Sequence, residues 1–164
     1  MYLVGDKVVH PMHGAGVIRD IVEERLAGQR KQYYVFSLPV GELVLKIPTE
    51  NCDMIGIRHL STPEKINALI ESIPNLPVDM TINWNQRYRE NMDRLKSGEL
   101  SEVARVIKAL MWRDRERGLS NGERKMLHSA KQILLSEVVL VNGTDYKETE
   151  HQIDQIMLHE GEQD

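Results

Sequence analysis

The chain's 164 residues are 41% hydrophobic and 28% charged, with a formal net charge of −4, enough for one compact domain or two small ones of the ordinary soluble globular class. No apolar run approaches the roughly 18 to 20 residues that cross a bilayer, and the start, Met1 to Asp6, carries neither a basic segment nor a cleavage site, so the expectation is a cytoplasmic protein without membrane contact. The single cysteine, Cys52, excludes an internal disulfide and offers little to a zinc site.

In chain order, Gly5-Asp6 is a turn ahead of the short β-branched run Lys7 to His10, which Pro11 stops, so a first strand is predicted there. Gly14 to about Glu24 resumes strand character, with Gly14 and Gly16 expected to mark bulges or bends. Leu26-Ala27-Gly28-Gln29 reads as a hairpin turn leading into the strand Gln32 to Leu38. Pro39 to Glu42 is the next turn, Leu43 to Ile47 the next strand with Pro48 as its stop, and Met54 to Ile57 a short fifth. Five short strands with regular turns in about 60 residues predict a small Tudor-like or SH3-like barrel.

Helical signals take over after residue 60. Thr62 is an N-cap with Pro63 at the first helical position, and Ile66, Leu69, Ile70 and Ile73 recur at helical spacing. Pro74 and Pro77 end that helix and leave a stiff connector, Asn75 to Asp79. Asn83 caps a second helix, with Gln86 completing a capping-box pattern and Trp84 in the first turn. Leu100 to Met111 traces the apolar face of a third helix, closing at Arg117-Gly118; Ser120 and Glu123 form a capping box for a fourth, broken at Asn142-Gly143; Tyr146 to Leu158 is a last helix. The fold class is therefore α+β in two domains: a barrel over residues 1–60 and an all-α domain over 61–164. Residues 61–82 of the latter are helix plus connector and 83–160 the remaining helices.

Charge divides the same way. Residues 1 to 60 carry 7 basic and 7 acidic side chains, 85 to 135 carry 12 against 7, and 136 to 164 carry 1 against 8. A locally basic face binds phosphate despite an acidic total, with a strong salt dependence. Aromatic residues are only 5% of the chain, which makes Trp84, followed by Arg87, Tyr88 and Arg89, conspicuous. Helical geometry puts Arg87 on the face of Trp84 and turns Arg89 about 140° away. Arg113, Arg115, Arg117, Arg124 and Lys125 flank the turn between the third and fourth helices, and Arg113, Arg124 and Lys125 are the candidates for a phosphate path. No base-reading code is visible, so DNA binding would be largely sequence-tolerant. Nothing points to an enzyme: the chain has no Walker A sequence, no Gly-rich dinucleotide fingerprint and no Gly-x-Ser-x-Gly elbow. His10 and His13 lack convincing further metal ligands. No cofactor, metal or small-molecule substrate is expected.

Several stretches resemble the CarD family of bacterial transcription regulators, whose N-terminal module is shared with transcription-repair coupling factor. They are Val4 to Pro11 with His13-Gly14, Pro48 to Asn51, Asn83-Trp84 with Arg87-Tyr88, and above all Arg113 to Ser120 through Glu123 to Leu127. The resemblance implies a Tudor-like RNA polymerase interaction domain that docks on the β subunit, joined to a helical domain that touches promoter DNA at the upstream edge of the transcription bubble. Trp84 matches the family's tryptophan wedge, which stabilises the open complex from the minor groove. Glu24-Arg25 match the charged polymerase-contacting pair, and Lys46 stands where some relatives have arginine, losing a bidentate fork. His10 replaces a usual tyrosine, a change of local packing. The implied location is the cytoplasm, at the nucleoid.

Two readings of Trp84 stay open on the residues alone. It is either a staple that packs the connector onto the helices or an outward wedge whose insertion costs a few kcal/mol of base unstacking, offset by cationic contacts. On the first reading the protein is an adaptor whose basic helices meet an acidic partner, and the Arg-rich turn is a solvated face laced by Asp114 and Glu116.

Overall fold

The computed structural model describes residues 1–40 and 42–159. Five antiparallel strands, β1 (Lys7–His10), β2 (Gly14–Leu26), β3 (Gln29–Leu38), β4 (Leu43–Pro48) and β5 (Arg58–His59), lie in the order β4-β3-β2-β1-β5. Alternation along the strands sends Val8, Ile18, Tyr34, Phe36, Leu38 and Ile47 to one face, where they form a core with Cys52 and Ile57. The β2–β3 hairpin turns on Ala27 and Gly28, both at positive φ (52° and 80°), the backbone that matches a two-residue turn to strand twist.

Three expectations change here. The ladder shifts register between Ile18 and Asp20, so the extra residue is Arg19, not Gly14 or Gly16. Those glycines permit close approach instead: a side chain at Gly14 would run into Ser136 Oγ, and one at Gly16 into the Ser37 carbonyl oxygen. The segment read as a fifth strand, Met54 to Ile57, follows a 3₁₀ turn (Thr49–Asn51) and enters the single helical turn α1 (Cys52–Ile55), closed by left-handed Gly56, whose N–H bonds Cys52 O at 3.1 Å. An apolar run this short is compatible with either period, and the strand that does form is β5, just beyond it. Among the described residues β4 and β5 each pair on one side only, so the sheet is open rather than a closed barrel.

The helical part comprises α2 (Pro63–Ser72), α3 (Trp84–Lys96), α4 (Leu100–Arg117), α5 (Asn121–Asn142) and α6 (Tyr146–Leu158). Thr62, Asn83, Ser120 and Asp145 each accept a hydrogen bond from the backbone N–H three residues on, satisfying donors the helix leaves open. A second core gathers Ile66 and Ile73 with Val103, Ile107, Leu110, Leu134, Leu135, Ile153 and Met157. The start of the connector is tied down as well, since buried Lys108 donates from Nζ to the carbonyls of Ile73, Pro74 and Leu76 at 2.8, 2.9 and 2.9 Å.

Helix α5 meets the sheet along its second half. Ala15 N–H donates to Ser136 Oγ at 2.8 Å and Gln132 Nε2 to Val40 O at 2.9 Å. Arg58 grips Glu137 with two hydrogen bonds of 2.9 and 2.7 Å, and Ser61 N–H adds a third at 2.8 Å. Glu137 is 0% exposed. Burial pushes its carboxyl upward, but the Arg58 and Ser61 hydrogen bonds and the Arg58 charge outweigh that and hold it below the ordinary 4.5.

A carboxyl depressed in the native state contributes stability that is complete above its unfolded value of 4.5 and is lost as the pH falls through the lower native value. Glu137→Ala is therefore expected to cost about 3 to 5 kcal/mol in urea denaturation at neutral pH, because it leaves Arg58 unpaired at a partly buried site. Glu137→Gln should cost less and flatten the acid limb of the stability curve.

Candidate nucleic-acid interface

Asn83, in extended backbone, accepts Gln86 N–H at 2.9 Å and so starts α3 with Trp84 in its first turn. The Gln86 side chain does not close a reciprocal box; its Nε2 donates to Glu90 Oε1 at 3.1 Å. Trp84 belongs to neither core and is 44% exposed. Its indole stacks on Tyr88, one helical turn on, with ring centroids 5.1 Å apart and planes at 20°. Trp84 Nε1–H donates to Ser120 Oγ at 3.2 Å. One side of the ring is thus fixed and much of the rest faces solvent.

The hydroxyl that holds Trp84 also caps α5. Ser120 Oγ accepts Glu123 N–H at 3.2 Å and donates to Glu123 Oε1 at 3.2 Å. The same carboxylate takes Arg87 Nε on Oε2 at 2.8 Å and Arg87 Nη2 on Oε1 at 3.3 Å, while Arg87 Nη1 donates to Ile82 O at 3.2 Å. Arg87 and Glu123 are 6% and 2% exposed. Burial pushes the Glu123 carboxyl up, but Arg87 and Ser120 prevail and hold it below its usual range. This corrects the expectation for Arg87: the helical wheel puts it on the side of Trp84, but that side packs on α5, and its guanidinium is spent on a buried carboxylate. Arg87 positions Trp84 rather than facing outward beside it.

The other basic candidates differ in freedom. Arg89 is exposed, beside Asn83, Asn85 and Gln86. Arg124 and Lys125 are exposed on the first turn of α5, next to the Ser120–Glu123 cap, and Arg124 Nε donates to Leu119 O at 3.3 Å. Arg113 is half-buried near the end of α4, with its Nε among the buried polar atoms left without a partner. Arg115 is engaged elsewhere: its guanidinium lies 4.5 Å over the Trp112 ring and reaches Leu158 O at 3.5 Å. Trp112, to which sequence reasoning gave no role, ties α6 to α4 by donating from Nε1 to Met157 O at 2.7 Å. Nothing local marks it, because its acceptor is a backbone carbonyl 45 residues away.

On the sheet, the register sets Glu24 opposite Lys31 and Arg25 opposite Arg30. Adjacent strand residues point to opposite faces, so Glu24 and Arg25 extend from opposite sides of the sheet. Lys46, from edge strand β4, pairs with Glu24 and not with Arg25. Arg25 and Arg30 form a like-charged cross-strand pair, relieved in part by Glu23 at 3.6 Å from Arg30. The His10 and His13 rings stand 4.6 Å apart; burial and then His13 push His10 down to about 4, and its Nδ1 accepts Met12 N–H at 3.0 Å. Among the described residues no group of three or more His, Cys, Asp or Glu is placed to hold a metal ion, and no helix is long and apolar enough to cross a membrane.

Residues 2–61 match the family described as CarD-like/TRCF RID domain, and residues 68–154 match CarD, C-terminal domain. The first match covers the sheet and the second runs from α2 into α6. The chain is also 33% identical over 148 residues to a Bacillus subtilis (strain 168) protein named "Putative transcription factor YdeB", an alignment spanning 90% of this chain and 97% of the relative. With both halves matched in order, the chain belongs to the CarD family of transcription factors.

Proposed function

We propose that this protein is a non-enzymatic transcription regulator that docks on the β subunit of RNA polymerase and stabilises the promoter open complex at the upstream edge of the bubble. The working units are a Tudor-like polymerase-interacting module, residues 1–60, and a helical DNA-contacting module, residues 61–164. In the first, the unpaired edge of β4 accepts a partner strand by main-chain pairing, and Arg25, Lys46 and Glu24 orient it. In the second, Trp84 enters the minor groove at a distorted base step, and Arg89, Arg113, Arg124 and Lys125 take phosphates on either side.

The observation that carries this reading is the half-exposed Trp84 indole, stacked on Tyr88 and held by Ser120 at the mouth of a capped helix. A ring fixed on one side and open on the other enters a groove with little further ordering cost. By contacting the melted state better than the closed one, the protein shifts that equilibrium; a differential of about 1.4 kcal/mol is a tenfold change in the open-to-closed ratio.

With purified polymerase and promoter DNA, Trp84→Ala is expected to shorten open-complex lifetime about tenfold with an unchanged melting temperature. A large drop in melting temperature with no separate effect on lifetime would instead assign Trp84 to packing, and the protein to adaptor work.

Arg124→Ala with Lys125→Ala should weaken free-DNA binding uniformly across sequences and reduce the salt slope by roughly one for each phosphate no longer neutralised. Charge reversal at Arg25 and Lys46 should abolish polymerase pulldown while leaving free-DNA affinity intact; pulldown that survives both reversals rules out this docking surface.

A further inference from the structure

We infer that α5 makes one rigid body of the two modules, and that the Arg58–Glu137 clasp is a positioning device that sets where Trp84 stands relative to the docked sheet. The inference rests on the polymerase-docking and fork-contacting roles proposed above, and adds that their separation is built into the fold rather than left to a tether.

One helix serves both ends. Its N-cap Ser120 and first-turn Glu123 hold Trp84 and Arg87. Its residues Gln132, Ser136 and Glu137 hold Val40, Ala15, Arg58 and Ser61 of the other module and the junction beyond it. The two sets stand about 14 residues apart, roughly 20 Å along the axis, a span that an α-helix packed along its length does not vary.

The clasp also sits at the junction where the modules are covalently joined. Arg58 lies in β5, and Ser61 N–H is the last donor before the Thr62 cap of α2, so Glu137 grips both sides of the crossing with one carboxylate. Beside it, Gly14 brings the β2 backbone so close to α5 that an added Cβ would lie 3.2 Å from Gln132 O and from Ile133 Cα. Directional bonds with backbone contact permit one orientation, whereas apolar packing alone tolerates sliding. A buried ion pair is weak evidence of stabilisation, and fixing a geometry is the use that explains it better. Preorganised delivery of the wedge also avoids the ordering cost a loose tether would carry.

The test uses the full chain in a Cys52→Ser background. Spin labels on exposed positions of each module, Arg30→Cys and Arg89→Cys, report the inter-module distance in the free protein, and unlabelled chains report function. Wild type should give one narrow distance; Glu137→Gln and Arg58→Ala should broaden it. In the same variants polymerase affinity and free-duplex affinity should hold, while open-complex lifetime falls about fivefold or more, the scale of a coupling between sites. A merely structural role would move all three readouts together, and that pattern overturns the inference. So does a distance that stays narrow in both variants. A broadened distance with unchanged lifetime, when Trp84→Ala does shorten it, overturns the inference and leaves the proposed function standing. If Trp84→Ala also leaves lifetime unchanged, the functional reading fails and the inference falls with it. Should Arg58→Ala not fold, Glu137→Gln, which keeps the side-chain volume, decides the matter.

Discussion

Two carboxylates buried on one helix organise this molecule. Glu123 and Glu137 stand four turns apart on α5, within about 40° of the same side, and each meets an arginine from a different element: Arg87 of α3 and Arg58 of β5. A buried charge is tolerated only when it is paired and hydrogen-bonded, so neither glutamate leaves its partner a choice of place. The apolar cores supply most of the driving force for folding, but they are non-directional. The two ion pairs are directional contacts that α3 and the sheet make with the helix they share.

Trp84 is best understood through that constraint. A tryptophan in the first turn of an isolated helix would sample several rotamers, and its entry into a groove would carry the full ordering cost. Here the Ser120 hydroxyl takes the indole N–H, Glu123 orients the hydroxyl, and Arg87 holds Glu123. Arg87 therefore matters to the exposed ring without lying on the exposed surface. The outward charge is left to Arg89, Arg124 and Lys125, all exposed.

On the sheet, strand alternation imposes a comparable division. Glu24 joins Lys46 across the ladder on one face, while Arg25 faces Arg30 on the other. A partner strand at β4 would meet Lys46 directly and Arg25 only by way of the hairpin that projects beyond β4. The three charges therefore do not form one flat patch.

Local chemistry was legible in the sequence. The caps at Thr62, Asn83 and Ser120, the turn at Ala27-Gly28 and the apolar faces of the helices depend on neighbours within about four residues, and those neighbours are written beside them. Periodicity could not say what each face packs against. The Arg87–Glu123 pair spans 36 positions, the Arg58–Glu137 clasp 79, and the Ala15–Ser136 bond 121. The same limit hid the purpose of Gly14 and Gly16, whose missing side chains are explained by α5 and by Ser37, and it let Met54 to Ile57 pass for a strand where the chain makes a single helical turn. The sequence by itself determined that an aromatic residue opens a capped, arginine-bearing helix. Only the tertiary structure decided that its arginine turns inward and its ring half outward, because that outcome depends on where a carboxylate from another helix comes to rest.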